Sequence, residues 1–178
     1  MKKISILILA VILFTTCKEQ GPERWTNMSP AIDVAKALVK DYEDGNWEGW
    51  SNHYAEGAEI HHNSVESISW QQLQEGLQAD IANYSNYGFM QGEDKMFFEQ
   101  IIDNKGDTWV YLWGTWEGKM KGSTDNYQIP VHLALKFVDN KIVEEHGFYN
   151  RSAIDARLKE MEDMKNADEA EEMYLNHA

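Results

Sequence analysis

Residues 127–149, YQIPVHLALKFVDNKIVEEHGFY, decide the fold. Val131, Leu133, Leu135 and Phe137 recur at every second position, the period of a strand with one buried face. Asp139-Asn140 is a turn cluster, and Lys141 to Tyr149 resumes a β-rich run, so the stretch reads as a hairpin. Working back towards the N-terminus, Lys121–Asn126 and Asp103-Asn104-Lys105-Gly106 are turn clusters bounding two more runs, Asp107–Lys119 and Lys95–Ile102. Consecutive strands joined this way make an antiparallel meander. Thr108–Trp116 is apolar or aromatic on both faces, with Trp109, Tyr111 and Trp113 alternating against Val110, Leu112 and Trp116. Helices account for the cover on one side; the other side needs a further surface, and a second copy of the chain is the simplest candidate.

Helical signals flank the meander. Ser29 before Pro30 is a helix start, with serine as N-cap and proline where its missing N–H is harmless. Ile32, Ala35, Leu38, Val39 and Tyr42 follow at helical spacing, and Asp44-Gly45 ends the run. Trp47 to Tyr54 reads as a shorter helical piece with Trp47, Trp50 and Tyr54 on one face, which is core or pocket wall. Ala58–His62 is a short strand. Ser69 and Gln72 form a capping box for a third helix with Trp70, Leu73, Leu77, Ile81 and Tyr84 on one stripe. Ser152 and Asp155 start a last helix carrying Ile154, Leu158 and Met161, and Glu160–Glu172 drifts into an acidic tail read as frayed helix or disorder.

The N-terminus gives an address. Met1-Lys2-Lys3 and the apolar run Ile4–Phe14 fit the charged and hydrophobic regions of a secretory signal, and the run is too short to span a bilayer. Cys17, the only cysteine, sits just past it and resembles the lipid-accepting cysteine of bacterial lipoproteins, although Leu13-Phe14-Thr15-Thr16 is bulkier than the usual motif. The expected organisation is a signal over 1–16, a lipidated tether over 17–28, one domain over 29–163 and an acidic tail over 164–178. That puts the domain in the cell envelope, anchored to a membrane outside the cytoplasm. A lone cysteine forms no internal disulfide, so the fold has no covalent staple.

Charge and composition exclude several partners. With 30 Asp and Glu against 16 Lys and Arg the chain carries a formal charge of −14. It has no basic stripe to neutralise phosphates, so nucleic acid is excluded as a partner. There is no Gly-x-Ser-x-Gly elbow, phosphate loop or dinucleotide fingerprint, and no cofactor is expected. Seven Trp, eight Tyr and six Phe are many for this length, and they serve core, interface or ligand cavity alike.

The order helix, short helix, short strand, helix, meander resembles the nuclear transport factor 2-like fold, specifically its SnoaL-like polyketide cyclase branch, over residues 30–160. The pieces that carry the resemblance are Asp44-Gly45-Asn46-Trp47, Tyr54-Ala55-Glu56-Gly57-Ala58-Glu59-Ile60-His61, and Lys136-Phe137-Val138-Asp139-Asn140-Lys141-Ile142-Val143-Glu144. The resemblance implies an α+β cone, a curved antiparallel sheet wrapped by three N-terminal helices with a C-terminal helix, around an apolar cavity. That scaffold hosts isomerases, cyclases, dehydratases and members with no chemistry.

In the cyclases that the chain resembles, a histidine on the penultimate strand and a carboxylate on the last act as acid and base on a polycyclic ketone. Here the penultimate strand carries His132, and His146 stands near the carboxylate's place, flanked by Glu144, Glu145 and Gly147. His132 and His146 are the catalytic candidates, since imidazole titrates near working pH. Pro130 and Gly147 each suggest a local bulge or edge, so period alone leaves the facing of the pair open; if Val131, Leu133, Leu135 and Phe137 form the core face, His132 points away from it. His61, where relatives often show a histidine, is a ligand-contact candidate at the pocket mouth. Trp50, Tyr54, Trp113 and Tyr149 are candidate cavity walls, Tyr149 also as a hydrogen-bond donor to a carbonyl. Adjacent strand histidines point to opposite faces, so His61 and His62 do not easily share a metal, and none is expected. His53 and His177 read as solvated. The expected function is binding of a small apolar or aromatic molecule; the alternatives are acid–base catalysis on a ketone and partner docking on the exposed sheet face.

Overall fold

The computed structural model describes residues 24–92 and 94–175. The signal, Cys17, most of the tether and His177 lie outside the described residues. In chain order the elements are β1 (Trp25–Thr26), α1 (Pro30–Asp44), α2 (Trp47–Ser51), β2 (Tyr54–His62), β3 (Ile68–Ser69), α3 (Trp70–Ile81), β4 (Tyr84–Phe89), β5 (Met96–Ile102), β6 (Thr108–Met120), β7 (Asn126–Val138), β8 (Lys141–Tyr149) and α4 (Ser152–Leu175). The strands form one curved, unclosed sheet in the order β1-β5-β6-β7-β8-β2-β3, with β4 pairing the far half of β6 beyond β5. Every pairing is antiparallel except β2 with β8.

The helix starts follow the residues. Ser29 Oγ accepts from the Ile32 N–H at 3.1 Å, Pro30 is the first helical residue, and Gly45 takes the left-handed conformation (φ 66°) that closes α1. Ser69 and Gln72 exchange the two bonds of a capping box at the start of α3. Ile32, Ala35, Leu38 and Val39 press the apolar stripe of α1 onto Ile60, Val110, Leu112, Leu135, Phe137 and Ile142, all buried on one face of the sheet. A second cluster of Tyr84, Trp116, Met120 and Val131 is closed by Ile154 of α4, with Leu158 and Met161 beside it.

Several boundaries differ from the sequence reading. Tyr54 begins β2 and does not extend α2, and Tyr84 begins β4, a strand the alternation did not reveal, instead of ending α3. Trp25 and Thr26, inside the stretch read as tether, pair with Ile101 and Gln100. The last helix continues to Leu175, through the segment expected to fray. His53 is not simply solvated: its Nε2 lies 2.7 Å from Asp41 Oδ2. No helix among the described residues is long and apolar enough to cross a membrane.

Candidate active site in the concave face of the sheet

The β7–β8 hairpin sets which side chains reach the interior. Asp139 and Asn140 both have positive φ (49° and 58°), the mark of a two-residue hairpin turn, and pairing starts at Val138↔Lys141 and Phe137↔Ile142. An unbroken ladder would then set Glu144 against Leu135 and His146 against Leu133, pointing both inward. The register instead moves by one residue, with Lys136 opposite Glu144 and Leu135 opposite Glu145, so Val143 is the extra residue of a β-bulge. A one-residue shift exchanges the faces of everything after it. Glu145, Gly147 and Tyr149 therefore face the helices, and Glu144, His146 and Phe148 face away.

Among the described residues Glu145 is the buried carboxylate, with 2% of its surface exposed. Both oxygens are satisfied: Tyr54 donates its hydroxyl to Oε2 at 2.6 Å, and His62 Nε2 lies 2.8 Å from Oε1. Without such partners a buried carboxylate would be driven to protonate or to unfold the region. His62 Nδ1 is 3.1 Å from the Tyr149 hydroxyl, so a chain runs Tyr54–Glu145–His62–Tyr149. With the carboxylate ionised, the proton of a neutral imidazole sits on Nε2, and Nδ1 accepts from Tyr149. Burial pushes the Tyr54 hydroxyl well above the usual phenol range, and the adjacent Glu145 charge adds to the shift. Burial likewise raises Tyr149.

Two local features hold this chain. Asn63, left-handed at φ 51°, donates its side-chain amide to Tyr149 O at 2.8 Å and accepts from Tyr149 N at 3.2 Å, locking the end of β2 to the end of β8. Gly147 makes room for the imidazole: a Cβ there would fall 2.6 Å from His62 Cδ2 and 2.8 Å from its Nε2.

The chain opens onto an apolar recess of about 120 Å3. Leu38, Val39 and Tyr42 of α1, Trp50, Leu73 and Leu77 line it from the helices, with Phe89, Trp116, Ile129, Val131 and Leu133 from the sheet. Tyr42 accepts a bond from Trp116 Nε1 at 3.0 Å, and no acceptor among the described residues takes its own proton. Arg151 and Asp80, 2.7 Å apart, also border the recess.

The structure thus divides the sequence candidates. Trp50, Tyr54 and Tyr149 line the recess. Trp113, His61, His132 and His146 do not, contrary to the sequence expectation: all four lie on the opposite face of the sheet, because Leu112, Leu133, Ile60 and Glu145 beside them point inward. His132 is stacked on Trp113 with ring centroids 3.9 Å apart, and its Nδ1 bonds Leu112 O. His146 pairs with Glu144 at 2.8 Å and stacks on His61 at 4.8 Å. The residues that sequence reasoning passed over, His62 and Glu145, are each one position from a chosen candidate. Gly147 was the available signal, since a glycine in a strand marks close approach by another group.

Comparison with known proteins supports the architecture. No family model matches the chain, and no curated protein does either. Among solved structures, a candidate SnoaL-like polyketide cyclase from Shewanella denitrificans superposes with a TM-score of 0.54 at 15% identity, covering 75% of this chain and 99% of its own. IdmH, a candidate polyketide cyclase from Streptomyces antibioticus, gives 0.55 at 13% identity, with 74% and 99% coverage. A protein of ketosteroid isomerase-like fold from Catenulispora acidiphila, solved with trimethylamine, gives 0.53 at 12% identity, with 67% and 87% coverage. At such identities the likeness establishes a shared fold: this chain has the nuclear transport factor 2-like fold of SnoaL-like proteins, as its residue order implied.

Proposed function

We propose that the recess binds a small, apolar, ring-bearing molecule with a carbonyl group and that His62, backed by Glu145, moves a proton on it. The observation that carries this reading is the buried Glu145 at the wall of an apolar recess, bonded to an imidazole whose other nitrogen faces a tyrosine. A fixed carboxylate sets the tautomer of the ring and stabilises the imidazolium when it forms. On entry the ligand carbonyl takes the hydroxyl bond of Tyr149 away from Nδ1. The freed lone pair then accepts a proton from the carbon next to the carbonyl, Tyr149 or Tyr42 steadies the enolate oxygen, and the imidazolium returns the proton to the same or a conjugated carbon. Nothing else is consumed, so the net reaction is an isomerisation or an exchange.

Size narrows the ligand. An apolar cavity of about 150 Å3 holds one benzene ring, so a recess of about 120 Å3 takes about one ring within its walls. Binding is tested by native mass spectrometry of the purified protein, and chemistry by NMR detection of solvent deuterium entering single-ring ketones. Incorporation by the wild type that is lost in Glu145→Gln and His62→Ala is expected; incorporation unchanged in both variants overturns the catalytic part, and failure of any ring compound to bind overturns the whole.

In this reading the domain works outside the cytoplasm, held at a membrane by acyl chains on Cys17. Its support is the Lys2-Lys3 pair, the Ile4–Phe14 run and the position of Cys17. Radiolabelled palmitate should enter the wild type and not Cys17→Ser. A second reading concerns the outer sheet face, where Phe97 (49% exposed), Trp113 (43%) and Phe148 (54%) lie together. A homodimer through this face would cover them, and light scattering of wild type against Phe148→Ser checks it.

A further inference from the structure

We propose that His61, Glu144 and His146 form a binding site for one divalent transition-metal ion on the outer face of the sheet, separate from the recess. The three donors come from adjacent parallel strands. His61 stands directly opposite His146 in the β2–β8 register, and Glu144 is two residues before His146 on the same face. Their ligand atoms all lie within 4.8 Å of one another, and each residue is half-buried. Tetrahedral coordination at about 2.0–2.2 Å needs donor atoms about 3.3 Å apart, so side-chain rotation closes the site without moving the strands.

The donors are close together, and one ring must turn for their in-plane lone pairs to converge on an ion. The His61 and His146 rings are parallel to within 10° at a centroid distance of 4.8 Å. Phe148 stacks beyond His146 at 6.4 Å and 6°, and Trp109 flanks it at 6.1 Å, so His146 is held in place and His61 is the ring that turns towards the ion. Glu144 Oε1 sits 2.8 Å from His146 Nε2, where a metal would replace the shared proton. Lys136, opposite Glu144 in register, does not fill the place, because Asp107 holds its ammonium at 2.7 Å. Two imidazoles and a carboxylate select zinc, nickel, cobalt or copper over magnesium and calcium, which prefer all-oxygen sites. Three protein ligands leave an open position for water or an external ligand, the pattern of reactive rather than closed structural sites.

The bulge at Val143 is what builds this arrangement. It sends Glu145 inward to meet His62 and Glu144 outward to bond His146 near His61, so the His61-His62 and Glu144-Glu145 dipeptides each supply both faces. The test uses untagged, chelator-stripped protein titrated calorimetrically with zinc and with nickel. One ion per chain should bind, His61→Ala and His146→Ala should each weaken it by about 100-fold or more and Glu144→Gln by about 10-fold. His132→Ala should leave affinity within about twofold, because its ring lies outside the triad and bonds Leu112 O instead. No saturable binding by the wild type overturns the proposal, as does equal binding by the His61 and His146 variants. Copper loaded on the wild-type protein gives a check that needs no variant: its electron paramagnetic resonance spectrum should carry splitting from two imidazole nitrogens, and a spectrum with none overturns the assignment.

Discussion

Glu144 and Glu145 share a peptide bond and stand on opposite faces of one sheet. The Glu145 side chain is almost sealed, and the Glu144 side chain is 32% exposed. The inner carboxylate has both oxygens engaged by Tyr54 and His62, whereas the outer one bonds a single histidine. The difference is one of solvent. A charge in an apolar wall needs every lone pair met by the protein, while one at the surface lets water do the same. The inner face therefore has a fixed, fully specified polar chain, and the outer face has spare donors.

Substituting the two glutamates should break that comparison most sharply. Glu145→Ala strands the Tyr54 hydroxyl and His62, with an expected loss of about 3 kcal/mol in urea unfolding; Glu144→Ala should lose no more than about 0.5 kcal/mol. Gly147→Ala comes next, because the new methyl would meet the His62 ring at 2.6 Å. It should lower stability by about 1–3 kcal/mol and abolish deuterium exchange, while leaving zinc binding on the other face intact.

Tyr54→Phe should destabilise by about 1–2 kcal/mol and change the alkaline limb of the stability curve. The folded protein holds Tyr54 well above its ordinary value of 10.0, and burial pushes Tyr84 up to about 12. The unfolded chain ionises these phenols first, so their contribution is complete below pH 10 and falls as the pH rises through the folded values. Unfolding free energy measured from pH 8 to 12 should decline, and the decline should be shallower in Tyr54→Phe. The smallest effect belongs to the outer aromatic row. Phe148→Ser should change stability by less than about 1 kcal/mol, since the ring is half in solvent.

Much of the scaffold was legible in the residues. The alternation at Val131, Leu133, Leu135 and Phe137 set the buried face of β7, the Ser29-Pro30 and Ser69–Gln72 signals set two helix starts, and the turn clusters set the meander. Tyr54 and Tyr84 misled because an aromatic residue fits a helical stripe and a strand equally well. The site was legible by composition and not by position. The residues that the sequence pattern favours, His61 and His146, face away from the recess, and their neighbours His62 and Glu145 line it. At β8 the bulge reversed the facing; at β2 the parallel register against β8 fixed it.

The sequence alone determined which elements form, because caps, turns and apolar periods act over a few residues and need no distant partner. Tertiary structure decided which members of the His61-His62 and Glu144-Glu145 pairs face the recess. Facing changes with a single inserted residue in the ladder, and the insertion at Val143 lets Ile142 enter the core and Glu145 reach Tyr54 and His62 on the same face.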